Sequence, residues 1–103
     1  MVDELNWLQR WFLNQCDGDW EHENQLKIET TSNPGWAVEI SLADTKLTGT
    51  EFRMNTADLN EKDWWYVRIE KDTFFAAGDP TKLSLLLSKF KRFAETGDAN
   101  LML

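Results

Sequence analysis

The sequence predicts an α+β fold: an antiparallel β-sheet meander of about four to five strands, flanked by an N-terminal and a C-terminal α-helix. Three observations lead there. Apolar residues recur at helical spacing near both ends of the chain, and between them they alternate with polar residues at the period of a strand. Turn formers punctuate the change from one period to the other: Asp17-Gly18-Asp19, Asn33-Pro34-Gly35 and Asp79-Pro80. At 103 residues, with no repeat, linker or low-complexity segment, residues 1–103 read as one domain.

The first helix is expected from about Asp3 to Gln15. Asp3 suits an N-cap, Glu4 suits the positive end of the helix dipole, and Val2 is placed to staple onto Trp7. Leu5, Leu8, Trp11, Phe12 and Cys16 fall on one stripe, which is read as the core-facing side, and Trp7 and Trp11 as packing residues. Asp17-Gly18-Asp19 stops the helix, because glycine takes positive φ cheaply and aspartate bonds its own backbone.

Leu26, Ile28 and Thr30 alternate with Lys27, Glu29 and Thr31, and Trp36, Val38, Ile40 and Leu42 with Ala37, Glu39 and Ser41. Between these strands, Ser32-Asn-Pro-Gly35 predicts a type II turn, with Pro34 setting the second φ and Gly35 accepting a positive third one. Leu47, Gly49 and Phe52 suggest a turn and a third strand, and Asn55 to Asp63 reads as a polar loop. In the fourth strand Trp65, Val67 and Ile69 point inward, leaving Trp64, Tyr66, Arg68 and Glu70 outside. A tight turn at Lys71-Asp72 leads to a last strand from Thr73 to Ala77.

The second helix is expected to open at Asp79-Pro80, proline at the first helical position losing no bond. Leu83, Leu86, Leu87, Phe90, Phe93 and Ala94 keep a helical period, Gly97 closes the helix, and Lys89, Lys91 and Arg92 lie near its negative end. Both helices should cover the same sheet face. The other face is then open to solvent or is the working surface.

A formal net charge of −7 opposes binding to phosphate backbones and anionic membranes, so neither nucleic acid nor membrane is an expected partner. Six acids against one base give residues 1–23 a net −5. A basic protein is the partner that such a patch selects. One cysteine and an N-terminus without a secretion pattern favour the cytoplasm.

Chemistry-bearing residues are few. Asp17, Asp19, Glu21, His22 and Glu23 surround Trp20, but their spacing lacks the glycine and the distant bidentate glutamate of an EF-hand, and one histidine with one cysteine is a poor zinc set. Cys16 lies on the apolar stripe, where a thiol behaves as a small hydrophobe. No phosphate-binding glycine loop or nucleophile elbow occurs. No cofactor or metal is expected, and the chain is read as a binding protein. Candidate partner-binding residues are Asp17, Asp19, Trp20, Glu21 and Glu23 in the acidic turn, and Trp64, Tyr66 and Arg68 on the outer sheet face, tryptophan, tyrosine and arginine being common interface anchors.

Trp7-Leu8-Gln9-x-Trp11-Phe12, then Cys16-Asp-Gly-Asp-Trp-Glu-His22, Asn33-Pro-Gly-Trp36 and Gly78-Asp-Pro80 before a leucine-rich helix together resemble the immunity protein 53 family of bacterial polymorphic toxin systems. Trp20-Glu21 and Pro34-Gly35-Trp36 are the diagnostic motifs, and the likeness spans about residues 5 to 95. The resemblance implies a cytoplasmic α+β protein that binds and neutralises a cognate toxin, such toxins often being nucleases. Two other readings stand beside it: a small metal-dependent or Cys/His enzyme working through His22, and a structural adaptor that dimerises through the outer sheet face. The two motifs are equally open to a purely architectural role, with Trp20 and Trp36 in the core and Glu21 satisfying backbone N–H groups.

Overall fold

The computed structural model describes residues 3–102, and within 54–59 the backbone alone. Along the chain run α1 (Glu4–Gln15), α2 (Trp20–Glu23), β1 (Leu26–Thr31), β2 (Gly35–Ser41), β3 (Phe52–Asn60), β4 (Asp63–Glu70), β5 (Thr73–Gly78), α3 (Leu83–Thr96) and a 3-10 turn at Ala99–Met102. Among the described residues five strands form one antiparallel sheet in the order β1-β2-β5-β4-β3. The α+β class and the two flanking helices are as expected. The last strand, however, lies at the centre, where β5 pairs with β2 on one side and β4 on the other.

The reason is visible in the side chains. Phe74 and Ala76 of β5 are fully buried, and register sets Phe74 between Ile40 and Ile69, and Ala76 between Val38 and Val67. This is the most apolar stretch of sheet, and a central strand is buried on both sides by its neighbours. Leu86, Leu87, Phe90 and Phe93 of α3 cover it, joined by Leu8 of α1 with Trp7 and Trp11 partly buried. Phe90 is the hub, meeting Trp11 at 4.9 Å, Phe74 at 5.0 Å and Trp7 at 5.9 Å between ring centroids, all edge-on. The two helical tryptophans are therefore packing residues.

Several expectations are corrected. Leu5 and Phe12 do not face the core: they are 55% and 36% exposed, and the inward stripe is Trp7, Leu8 and Trp11. The polar stretch from Asn55 to Asp63 is not a loop. It belongs mainly to β3, an edge strand held by backbone pairing to β4, so it can form without an apolar side-chain pattern. A two-residue turn at Glu61-Lys62 then enters β4, with Asn60 accepting from the Lys62 N–H.

The hairpin turn is not type II. The Asn33–Pro34 peptide is cis, and Gly35 is not among the positive-φ glycines. Gly35 is needed for a different reason: a Cβ there would collide with the carbonyl oxygen of Gly78 in β5. Helix α3 starts at Leu83, later than Asp79-Pro80, because Asp79 is tied into a buried network described below. Gly97 does close it, at φ 72°. Lys89 and Arg92 serve another helix end: Lys89 Nζ donates to the Met102 carbonyl at 2.6 Å, and Arg92 Nε to that of Leu101 at 3.2 Å. These bonds dock the tail, where Met102 is buried. Val2, expected to staple onto Trp7, lies outside the described residues. No helix among the described residues is long and apolar enough to cross a membrane.

Candidate partner-binding surfaces

Three surfaces present candidate side chains, two expected from the sequence and one not. The acidic turn follows α1, where Gly18 at φ 97° reverses the chain. Asp17 Oδ1 accepts from the N–H groups of Asp19 (2.9 Å) and Trp20 (2.8 Å), closing the turn that leads into the one-turn helix α2. Glu21 reaches back in return: its carboxylate accepts from the N–H of Asp17 at 3.0 Å and of Gly18 at 2.9 Å. Backbone N–H donors, led by that of Trp20, lower the pKa of Asp17. Backbone donors also lower that of Glu21, its own N–H first and then those of Asp17 and Gly18, with a smaller contribution from His22.

Trp20 anchors this turn from beneath. It is 5% exposed, its Nε1–H donates to the Ala43 carbonyl at 2.8 Å, and its ring meets Trp11 and Phe12 at 6.3 and 6.0 Å. The five acidic-turn candidates thus divide by geometry. Trp20 and Glu21 build the turn, Asp17 both builds it and faces solvent, and Asp19 and Glu23 are exposed, Asp19 with no side-chain capping bond.

His22 is also exposed. Among the described residues no three of His, Cys, Asp and Glu converge as a metal site. The Cys16 thiol donates to the Phe12 carbonyl at 3.3 Å. Partial desolvation, then the charges of Glu21 and Asp17, raise its pKa, which disfavours a nucleophilic thiolate.

The second surface is the sheet face away from the helices. Trp64 stacks on Tyr66 at 6.3 Å, Tyr66 lies 6.0 Å from Phe75, and the Arg68 guanidinium sits 4.7 Å above the Phe75 ring. Phe75, which no sequence argument singled out, joins the row because β5 pairs it opposite Arg68. Beside the row lie buried Gly35, Ala37 and Ala77, small enough that the Trp64 ring closes over Gly35, with Cζ2 3.2 Å from where a Cβ would stand. Within the Pro34-Gly35-Trp36 motif, Gly35 and Trp36 make packing contacts on opposite sides of the sheet. Gly35 makes room for Trp64 and β5, while Trp36 packs against the core and donates its Nε1–H to the Pro80 carbonyl at 3.0 Å.

Trp64 is held by Asp79. Asp79 is fully buried, and its carboxylate accepts from the Trp64 N–H at 3.0 Å, from the Thr81 N–H and hydroxyl, and from Lys82 Nζ at 2.8 Å. Lys82 also pairs with Asp63 at 2.8 Å. The Lys82 ammonium, followed by Thr81, holds the Asp79 carboxyl far below the usual carboxylate range. In sequence this aspartate looks like a helix cap; its role as a tie between β4 and the start of α3 depends on contacts 15 residues apart.

The third surface is a trough of about 520 Å³ between α1 and the edge strand β1, lined by Leu5, Leu8, Phe12, Leu26 and Ile28, with the polar Gln9, Glu21, Asn24 and Gln25 completing it. A signal for it existed. Helix α1 carries more apolar residues than one core stripe uses, with Leu5, Phe12 and Leu13 left over. The acidic turn sits on the helix-bearing side and the aromatic row on the opposite face, so the structure does not merge them into one patch.

The family model described as immunity protein 53 matches residues 5–95. Comparison with curated proteins and with solved structures gives no match.

Proposed function

The chain belongs to the immunity protein 53 family, and from that premise we propose that it binds a cognate polymorphic toxin and neutralises it in the cytoplasm of the cell that makes both. The observation that carries this reading is the family match over nearly the whole chain. Charge supports a mechanism. Asp17, Asp19 and Glu23 project from a turn whose backbone is locked by Trp20 and Glu21, so the charges are presented in a fixed arrangement. A nuclease toxin carries a basic cleft for phosphates, and carboxylates held in place can occupy such a cleft without losing much conformational freedom. Trp64, Tyr66 and Arg68 offer two aromatic anchors and a cationic one for a second contact, on the far face of the sheet.

The test is co-elution with the toxin domain encoded beside this gene, at low and at high salt. Complex formation that weakens as salt rises is expected. The Asp19→Lys/Glu23→Lys variant, which leaves the bonds of the turn intact, should slow association by on the order of tenfold at low salt and change the urea midpoint little. No complex at either salt would reject this toxin as the partner. Full binding by the double variant would remove the acidic turn from the interface.

A further inference from the structure

The open edge of the sheet carries a pattern that matches itself. Strand β1 pairs only with β2, and no backbone bond among the described residues reaches its outer side. The Ser41 N–H donates to the Gln25 carbonyl. Hydrogen-bonding direction alternates along an antiparallel strand, so Gln25, Lys27 and Glu29 bond toward β2 while the N–H and C=O groups of Leu26, Ile28 and Thr30 point outward. On the outer sheet face Lys27 and Glu29 are half exposed, and their ion pairs are long, 3.8 Å to each other and 3.9 Å from Lys27 to Glu39. On the helix side Leu26 and Ile28 line the apolar trough with Leu5 and Phe12.

We propose that β1 is a homodimer edge, pairing antiparallel with β1 of a second copy in the register that places Ile28 opposite Ile28. That register is singled out by charge and by hydrogen bonding together. It sets Lys27 of each copy against Glu29 of the other, and it lets Leu26, Ile28 and Thr30 of both strands exchange about six backbone bonds. Shifting the two-fold axis by one residue puts Lys27 against Lys27 or Glu29 against Glu29, and like charges directly opposite are destabilising. The two-fold axis stands perpendicular to the sheet. Both α1 helices therefore lie on the same face of a continuous sheet, and their troughs meet over Leu26 and Ile28 of the two copies as one apolar channel. Because the strands are antiparallel, the two acidic turns fall at opposite ends of the junction, away from each other. This interface is separate from the toxin reading and would exist without a toxin.

Sedimentation equilibrium of the purified chain across micromolar to high micromolar concentration tests it, with far-UV circular dichroism confirming that each variant is folded. A concentration-dependent dimer is expected. Lys27→Glu and Glu29→Lys should each raise the dimer dissociation constant on the order of tenfold, since two-fold symmetry makes each change felt twice. The Lys27→Glu/Glu29→Lys double variant should recover most of the loss, because it restores an opposite-charge pair across the axis. A chain that stays monomeric throughout overturns the proposal. A dimer that both single variants leave unchanged, or that the double variant fails to rescue, overturns this edge and register.

Discussion

Replacing Trp20 by alanine should destabilise the protein by about 3–5 kcal/mol, the cost of truncating a buried aromatic side chain. The structure puts the value toward the upper end of that range. Trp20 is 5% exposed, it lies edge-on to both Trp11 and Phe12, and its Nε1–H is the donor to the Ala43 carbonyl. Each aromatic pair contributes on the order of 1 kcal/mol within the total, and a lost hydrogen bond a similar amount. For a chain of this size the loss corresponds to a fall in melting temperature of roughly 15–30 °C. Trp20→Phe keeps a ring in the site but removes the donor, and should cost about 1–2 kcal/mol. Urea unfolding followed by far-UV circular dichroism measures both without depending on tryptophan emission. If Trp20→Ala stays within about 1 kcal/mol of the parent while toxin binding is lost, Trp20 is an interface residue and the account of the turn fails. If Trp20→Phe stays folded and binds as the parent does, the tryptophan acts by positioning Asp19 and Glu23.

Two further outcomes follow from buried contacts elsewhere. Gly35→Ala should cost about 2 kcal/mol or more, since the new methyl group meets the Gly78 backbone and the Trp64 ring, and backbone cannot swing aside as a side chain can. An unchanged urea midpoint would show that β2 and β5 separate there more freely than the structure indicates. Asp79 sets part of the acid limit. Its folded pKa lies well below the ordinary 3.8, so the stability it contributes is present above that value and is lost as pH falls below it. Asp79→Asn should therefore lower stability at pH 7 and flatten the decline between about pH 4 and 2. An acid decline equally steep in the variant would assign that limb to other carboxylates such as Asp17 and Glu21, whose lowered pKa values act in the same direction.

Much of this protein was legible from its residues alone. Periodicity located α1, the β1–β2 hairpin, β4, β5 and α3, and Gly18 and Gly97 marked the chain reversals, because these signals depend on neighbours a few residues apart. The order and spacing of short motifs pointed to the family, and composition to a partner of opposite charge. What the tertiary structure decided is which of several equivalent residues does which work. Leu5 and Phe12 have the same periodicity as Leu8, but α3 covers only one side of α1, so they line a trough instead of the core. Asp17 and Glu21 bond backbone while Asp19 and Glu23 face solvent, because Trp20 finds its partner at Ala43, 23 residues away. Strand β3 starts at Phe52, which packs against the core, and continues through a polar stretch on pairing to β4 with two register shifts; β5 takes the centre because two different strands offer matching faces to it. Phe75 joins Arg68, and Gly35 makes way for Trp64, only once that central strand is in place. Local pattern is written in the order of residues; burial, pairing partner and exposed edge depend on contacts between distant segments, which form only when the sheet closes.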